Sequence, residues 1–206
     1  MIEKDVITDF SPTVSEPVIG HATFVHPLAA VIGGVVLGNN VMVSPGASIR
    51  GDEGWPLYVG NDSNVQDGVV IHALETELDG KPMEQNIVLV NQKPYAVYVG
   101  ERVTLAHQAL VHGPAAILDD TFVGMRALIF RAIVGSHCVV EPGALIMGVT
   151  VHDGRYVPAG AVVTSQEKAD LLPFITDDYP MKDMNKGVLH VNKALAKGYL
   201  KASILW

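Results

Sequence analysis

Residues 19–49 read IGHATFVHPLAAVIGGVVLGNNVMVSPGASI. Within them Ile19, Val25, Val31, Leu37, Val43 and Ile49 fall every six residues, and Thr23, Ala29, Val35, Val41 and Ala47 recur four places after the first five. An amphipathic helix repeats near 3.6 residues and a half-buried strand near two, so neither holds a period of six. The same spacing returns at Val59, Val65 and Ile71, then at Val99, Leu105, Val111, Ile117, Val123 and Ile129. After a one-residue slip it resumes at Val134, Val140 and Ile146, and after a second break at Val157 and Val163. The pattern predicts an all-β fold, a hexapeptide β-helix whose short strands bend at each corner and whose coils stack over one aliphatic column. Three hexads to a coil make a triangular prism, with about seven coils over this length. Small residues at the fifth place suit tight corners. Spacing alone leaves the handedness open.

Outward from this register the chain divides into a repeat region, 1–164, and a C-terminal segment, 165–206. Residues 1–17 read as an irregular lead-in ended by Pro17. Arg50 to Tyr58, RGDEGWPLY, is a short polar excursion, and 73–98 is a longer acidic loop with Glu75, Glu77, Asp79 and Glu84 around Asp79-Gly80. SQEKADLLP, from Ser165, predicts a short helix with Ser165 as N-cap, ended before Pro173. From about Lys182 to Ala202, Met184, Val188, Val191, Leu195 and Tyr199 come at three- and four-residue steps, an amphipathic helix laid on the prism.

The 206 residues suit one core, and with aromatics at 6% that core is aliphatic. The 14 Lys and Arg against 22 Asp and Glu give a net charge of −8, the wrong balance for a nucleic-acid binder. No apolar run reaches membrane-spanning length. The acidic N-terminus lacks the features of a signal peptide, so the expected location is cytoplasmic; a secreted form with an added Met would read the same. The single cysteine, Cys138, falls at a corner place of its hexad and reads as buried packing.

Three of the eight histidines gain meaning from the register. Ile71 and Val111 each end a trio of hexad positions, so if 73–98 is a loop between coils, Ile71 lies over Val111. His72 and His112 then point outward from the same place on successive coils, about 4.8 Å apart. Two imidazoles that close can share a zinc ion. His107 belongs to the preceding hexad, on a different face, and a neighbouring subunit could present it. The register therefore predicts a three-histidine metal site split between the subunits of a homotrimer. Three neutral imidazoles leave a fourth coordination position for water, the pattern of a catalytic zinc.

RGDEGWPLYVGNDSNVQDGVVIHALE at 50–75, YAVYVGERVTLAHQALVHGPA at 95–115 and DGRYVPAGAVVTSQ at 153–166 closely resemble the gamma-class carbonic anhydrases. The match is with the prototype subclass that keeps an acidic loop after the first histidine, and it runs from about residue 15 to 200. The resemblance implies a left-handed parallel β-helix with a C-terminal α-helix, and reversible hydration of CO₂ to bicarbonate and a proton by a metal-bound hydroxide. It implies His72 and His112 of one subunit and His107 of the next as ligands to Zn²⁺, with Fe²⁺ or Co²⁺ as alternatives that imidazole accepts. Gln66 matches the glutamine that hydrogen-bonds the hydroxide, and Asn64 the asparagine beside it. Glu53 and Glu75 match carboxylates that handle the proton. Arg50 matches an intersubunit salt-bridge arginine, with Asp52 and Asp67 as its partners. Asn192 matches a helix asparagine that approaches the site, and His190 stands where the family has a tyrosine.

Two other readings remain open at this level. A CoA-dependent acyltransferase is the common activity on hexapeptide prisms, but it needs one histidine and a groove rather than three registered histidines. A non-catalytic scaffold subunit of the gamma type would be expected to have lost a ligand, and none is missing here.

Overall fold

The computed structural model describes residues 1–203. Short strands run in turn along three parallel sheets of eight, seven and seven strands, each sheet one face of a prism. The coils wind as a left-handed parallel β-helix. The first face holds Ala30–Gly33, Ser48–Gly51, Val70–His72, Leu110–His112, Leu128–Phe130, Leu145–Met147 and Val162–Val163. Its inward residues Val31, Ile49, Ile71, Val111, Ile129 and Ile146 are paired coil to coil and fully buried. Burying each such side chain contributes about 1.5–3 kcal/mol, so the column that sets the register also supplies the core.

The corner between the third and first faces is made by residues in the left-handed backbone region. Gly46, Gly68, Gln108, Arg126, Gly143 and Gly160 all have φ between 57° and 71°. Glycine takes this conformation without a Cβ clash; at Gln108 and Arg126 the side chains bridge instead, Arg126 Nε donating to Gln108 Oε1 at 2.8 Å. Each corner amide bonds back to the coil before it, so Gln108 N donates to Asp67 O and Arg126 N to His107 O, at 2.9 and 3.0 Å. This ladder stacks Asp67 and His107 at one edge of the prism.

Several boundaries differ from the sequence expectation. The lead-in is not wholly irregular: Ile2–Glu3 pairs with the strand Ala30–Gly33 and extends the first face. Both breaks in the period are five-residue steps, Ile129 to Val134 and Ile146 to Val151, and buried Val151 keeps the column continuous. The polar excursion narrows to 52–56, because Arg50 and Gly51 lie in the strand Ser48–Gly51, and Leu57–Val59 resumes the second face. The acidic loop contains two antiparallel hairpins, Glu77–Leu78 with Lys81–Pro82 and Val88–Val90 with Lys93–Tyr95. The prism is already rejoined at Val97, which pairs with Leu57.

After Val163 come α1, Gln166–Asp170, and α2, Met184–Ser203. Ser165 caps α1 as expected, accepting from Lys168 N. Cys138 is buried in the core. Helix α2 lies across the third face and buries Asn185, Leu189, Asn192 and Ala196. The stripe expected to pack is instead partly open: Met184, Val191, Leu195 and Tyr199 are exposed. Asn185 takes the inner face with a partner on the prism, its Nδ2 donating to Arg102 O at 2.8 Å, whereas Asn192 Nδ2 bonds within the helix, to Val188 O at 3.0 Å. No described helix is long and apolar enough to cross a membrane.

Candidate metal centre

Backbone pairing sets His72 directly over His112, with ring centroids 5.5 Å apart and planes at 84°. Both rings end strands of the first face, at its corner with the second. His112 Nδ1 lies 3.1 Å from Gly113 O. A carbonyl oxygen only accepts, so Nδ1 carries the proton and Nε2 keeps the lone pair a metal needs. His72 Nε2 is buried, 3.0 Å from Glu53 Oε1 and 3.4 Å from Asp52 Oδ1, with no well-formed hydrogen bond. Asp52, Glu53 and His72 together offer ligand atoms within 4.8 Å of one another. Arg50 holds Asp52 from two nitrogens, Nε at 3.0 Å and Nη2 at 2.8 Å from Oδ2.

His107 lies elsewhere. It sits not on a face but in the corner turn that enters the first face, five residues of chain before His112. Extended chain rises about 3.3 Å per residue, so the two are roughly 15 Å apart along the strand. Imidazoles sharing an ion each approach it to about 2.0–2.1 Å, so one chain does not bring all three together. His107 Nδ1 is 3.1 Å from Asp67 Oδ2. The carboxylate accepts from Nδ1–H and again leaves Nε2 as the donor to a metal. Asp67 is therefore a partner of His107, not of Arg50, within the chain.

Around His107 the structure gathers a second set of the expected residues. Gln66, Asp67, His107 and Asn192 line one cavity of about 360 Å³, walled by Phe122, Met125, Val188 and Leu195. Asn64 and Gln66 are not surface polar groups; both are buried. Asn64 Nδ2 donates to Thr104 Oγ1 at 2.9 Å, and Asn64 Oδ1 accepts from Gln66 Nε2 at 3.0 Å. Asn192 is buried on α2, whereas His190 is exposed on the same helix. The apolar wall consists of residues that sequence reasoning assigned to helix packing or did not single out. Thr104 was readable, since it and Asn64 hold the same place in their hexads.

The donor chemistry fits a divalent cation: the three histidines offer Nε2, two of them with Nδ1 tied to an acceptor. The expected residues thus form two groups at opposite edges of one face. His72, His112, Glu53, Asp52 and Arg50 make one; His107, Asp67, Gln66, Asn64 and Asn192 make the other. Glu75 follows His72 into the acidic loop, its carbonyl accepting from Asn86 Nδ2 at 2.8 Å.

Fold and site together define a hexapeptide-repeat β-helix carrying histidines suited to a metal. Comparison with known proteins agrees. Residues 16–51 match the bacterial transferase hexapeptide (six repeats) family. The chain is 56% identical over 203 residues to the carbonic anhydrase of Methanosarcina thermophila, covering 98% of this chain and 82% of that one. It is 44% identical over 197 residues to the carboxysome assembly protein CcmM of a Nostoc species, covering 95% of this chain but 34% of that longer protein. An acetyltransferase candidate from Bacillus cereus shares the fold, with a TM-score of 0.67 at 19% identity over 90% of this chain and 92% of that one. This chain belongs to the gamma-class carbonic anhydrase family.

Proposed function

We propose that this protein catalyses the reversible hydration of CO₂ to bicarbonate and a proton, at metal sites shared between the subunits of a homotrimer. The observation that carries the reading is the division of the donors between two edges of one face. His72 and His112 stand at one edge and His107 at the other, so a second copy must bring its His107 to complete the set. Three-fold packing of prisms makes that contact three times with one interface. The open apolar residues of α2 and the cavity beside His107 suit cover by a neighbour.

Zn²⁺ is the first choice of cation, with Fe²⁺ and Co²⁺ also compatible with three imidazoles. When bound, the cation supplies the Lewis acidity that lets water act as a nucleophile near neutral pH. The chain's own groups do the rest. Gln66, held by Asn64 and Thr104, directs the attacking oxygen without reorganising at the moment of reaction. Asn192 and the apolar wall shape the space for an uncharged substrate. Glu53 takes the proton released at the site and Glu75 passes it toward buffer. Arg50, with Asp52 of its own chain and Asp67 across the interface, holds the subunits in register.

An acyltransferase reading rests on the shared fold, which hosts several functions. Metal analysis with a CO₂ hydration assay on the wild type and His107→Ala tests the proposal. Metal and activity in the wild type, and loss of both in the variant, are expected. A wild type that holds no metal, or hydrates no CO₂, overturns it.

A further inference from the structure

Thr76 lies in the acidic loop between Glu75 and Glu77 and was not itself marked by the sequence, yet it is completely buried. Its backbone N donates to Glu53 O at 2.9 Å and its Oγ1 donates to the same oxygen at 2.7 Å. The same Oγ1 accepts from Trp55 N at 2.6 Å. Between these partners Gly54 has φ +102°, and a Cβ there would strike Thr76 Oγ1. Glycine is thus required both by the backbone conformation and by the closeness of the hydroxyl. On the far side, Thr76 O accepts from Met83 N and Glu75 O from Asn86 Nδ2, both at 2.8 Å, with Asn86 also buried.

These bonds form a clasp. Here one buried hydroxyl fastens the loop's first turn to the short excursion that carries Glu53, whose carboxylate lies 3.0 Å from His72 Nε2. Asn86 then holds the residue before Thr76 from the other side. We infer that Thr76 is a positioning residue: it sets Glu53 against the metal centre and holds Glu75 beside it, so that the two carboxylates act in series. The inference rests on the proposed roles of Glu53 and Glu75 in proton export, and adds that their spacing is built in by the Thr76 clasp.

Thr76→Val keeps the shape of the side chain and removes the hydroxyl, leaving Trp55 N without its acceptor; Thr76→Ser keeps the hydroxyl. With metal content unchanged, Thr76→Val should lower kcat at low buffer roughly tenfold and leave kcat/KM within about twofold. Imidazole should restore most of the loss, and Thr76→Ser should behave like the wild type. Should Thr76→Val fail to fold, Asn86→Ala, which frees only the Glu75 side, should give the same kcat-selective loss in milder form. Unchanged kcat in the folded variants, or a parallel fall of kcat, kcat/KM and metal, overturns the clasp's role. A wild-type kcat that does not respond to buffer would instead remove the proton-export reading beneath it.

Discussion

His72 and His112 are cross-strand partners on adjacent coils, stacked edge to face with centroids 5.5 Å apart. Each projects outward from a strand whose preceding residue, Ile71 or Val111, is buried in the column. Proposed ligand and core residue are neighbours in sequence but face opposite ways, so a change at one need not disturb the other.

That separation makes the first prediction. His112→Ala should lose bound metal and CO₂ hydration while keeping the β-helix, read by metal analysis and circular dichroism. Ile129→Ala, on the same face but inward, should cost about 2–5 kcal/mol of stability and, where it folds, retain metal. An unfolded His112→Ala protein would identify this histidine as a core residue instead.

Subunit sharing of the site can be read by complementation. His72→Ala and His107→Ala proteins should each be inactive alone. Unfolded together and reassembled, random trimers should regain about a quarter of the wild-type sites, because one intact half from each variant can meet. Sedimentation should give a trimer. A monomer binding a full equivalent of metal would sink the shared site.

The acidic loop offers a kinetic signature. Glu75→Ala should lower kcat with little change in kcat/KM, and small buffers such as imidazole should restore much of the rate. Changes at Glu77, Asp79 or Glu84 should matter less, since they lie further from His72 along the loop. An unchanged kcat at both low and high buffer would reduce Glu75 to a residue of a solvated turn.

Burial pushes the Cys138 thiol up from its ordinary value of 9.0 to about 11. The folded chain therefore holds this proton more tightly than the unfolded chain. The associated stability is complete below pH 9 and is lost as pH rises from 9.0 towards about 11. Thermal unfolding across this range should show a steeper decline in the wild type than in Cys138→Ala. Equal slopes would contradict it.

The sequence by itself determined the repeat, because a period of six can be satisfied only by coils that bury every sixth side chain. It also determined that His72 and His112 stack, since both follow the third hexad place of their trio. Ser165 as a helix cap was equally legible, because a side-chain oxygen before a helix has one local use. Other features depended on contacts between distant segments. The Thr76 clasp joins residues 23 positions apart across two excursions from the repeat, and periodicity carries no signal for it. The register does lay Asp67 over His107 and Asn64 over Thr104, 40 positions apart, but not the side-chain bonds they make or the burial of Asn64 and Gln66. The placing of α2 was decided the same way. Its apolar stripe suggested one packing face, but the face that carries Leu189, Ala196 and Asn185, the last bonded to Arg102 O, lies inward and leaves Met184, Val191, Leu195 and Tyr199 exposed. A repeat fixes where each coil lies over the next, whereas loops and helices settle by whichever polar and apolar partners the finished prism presents.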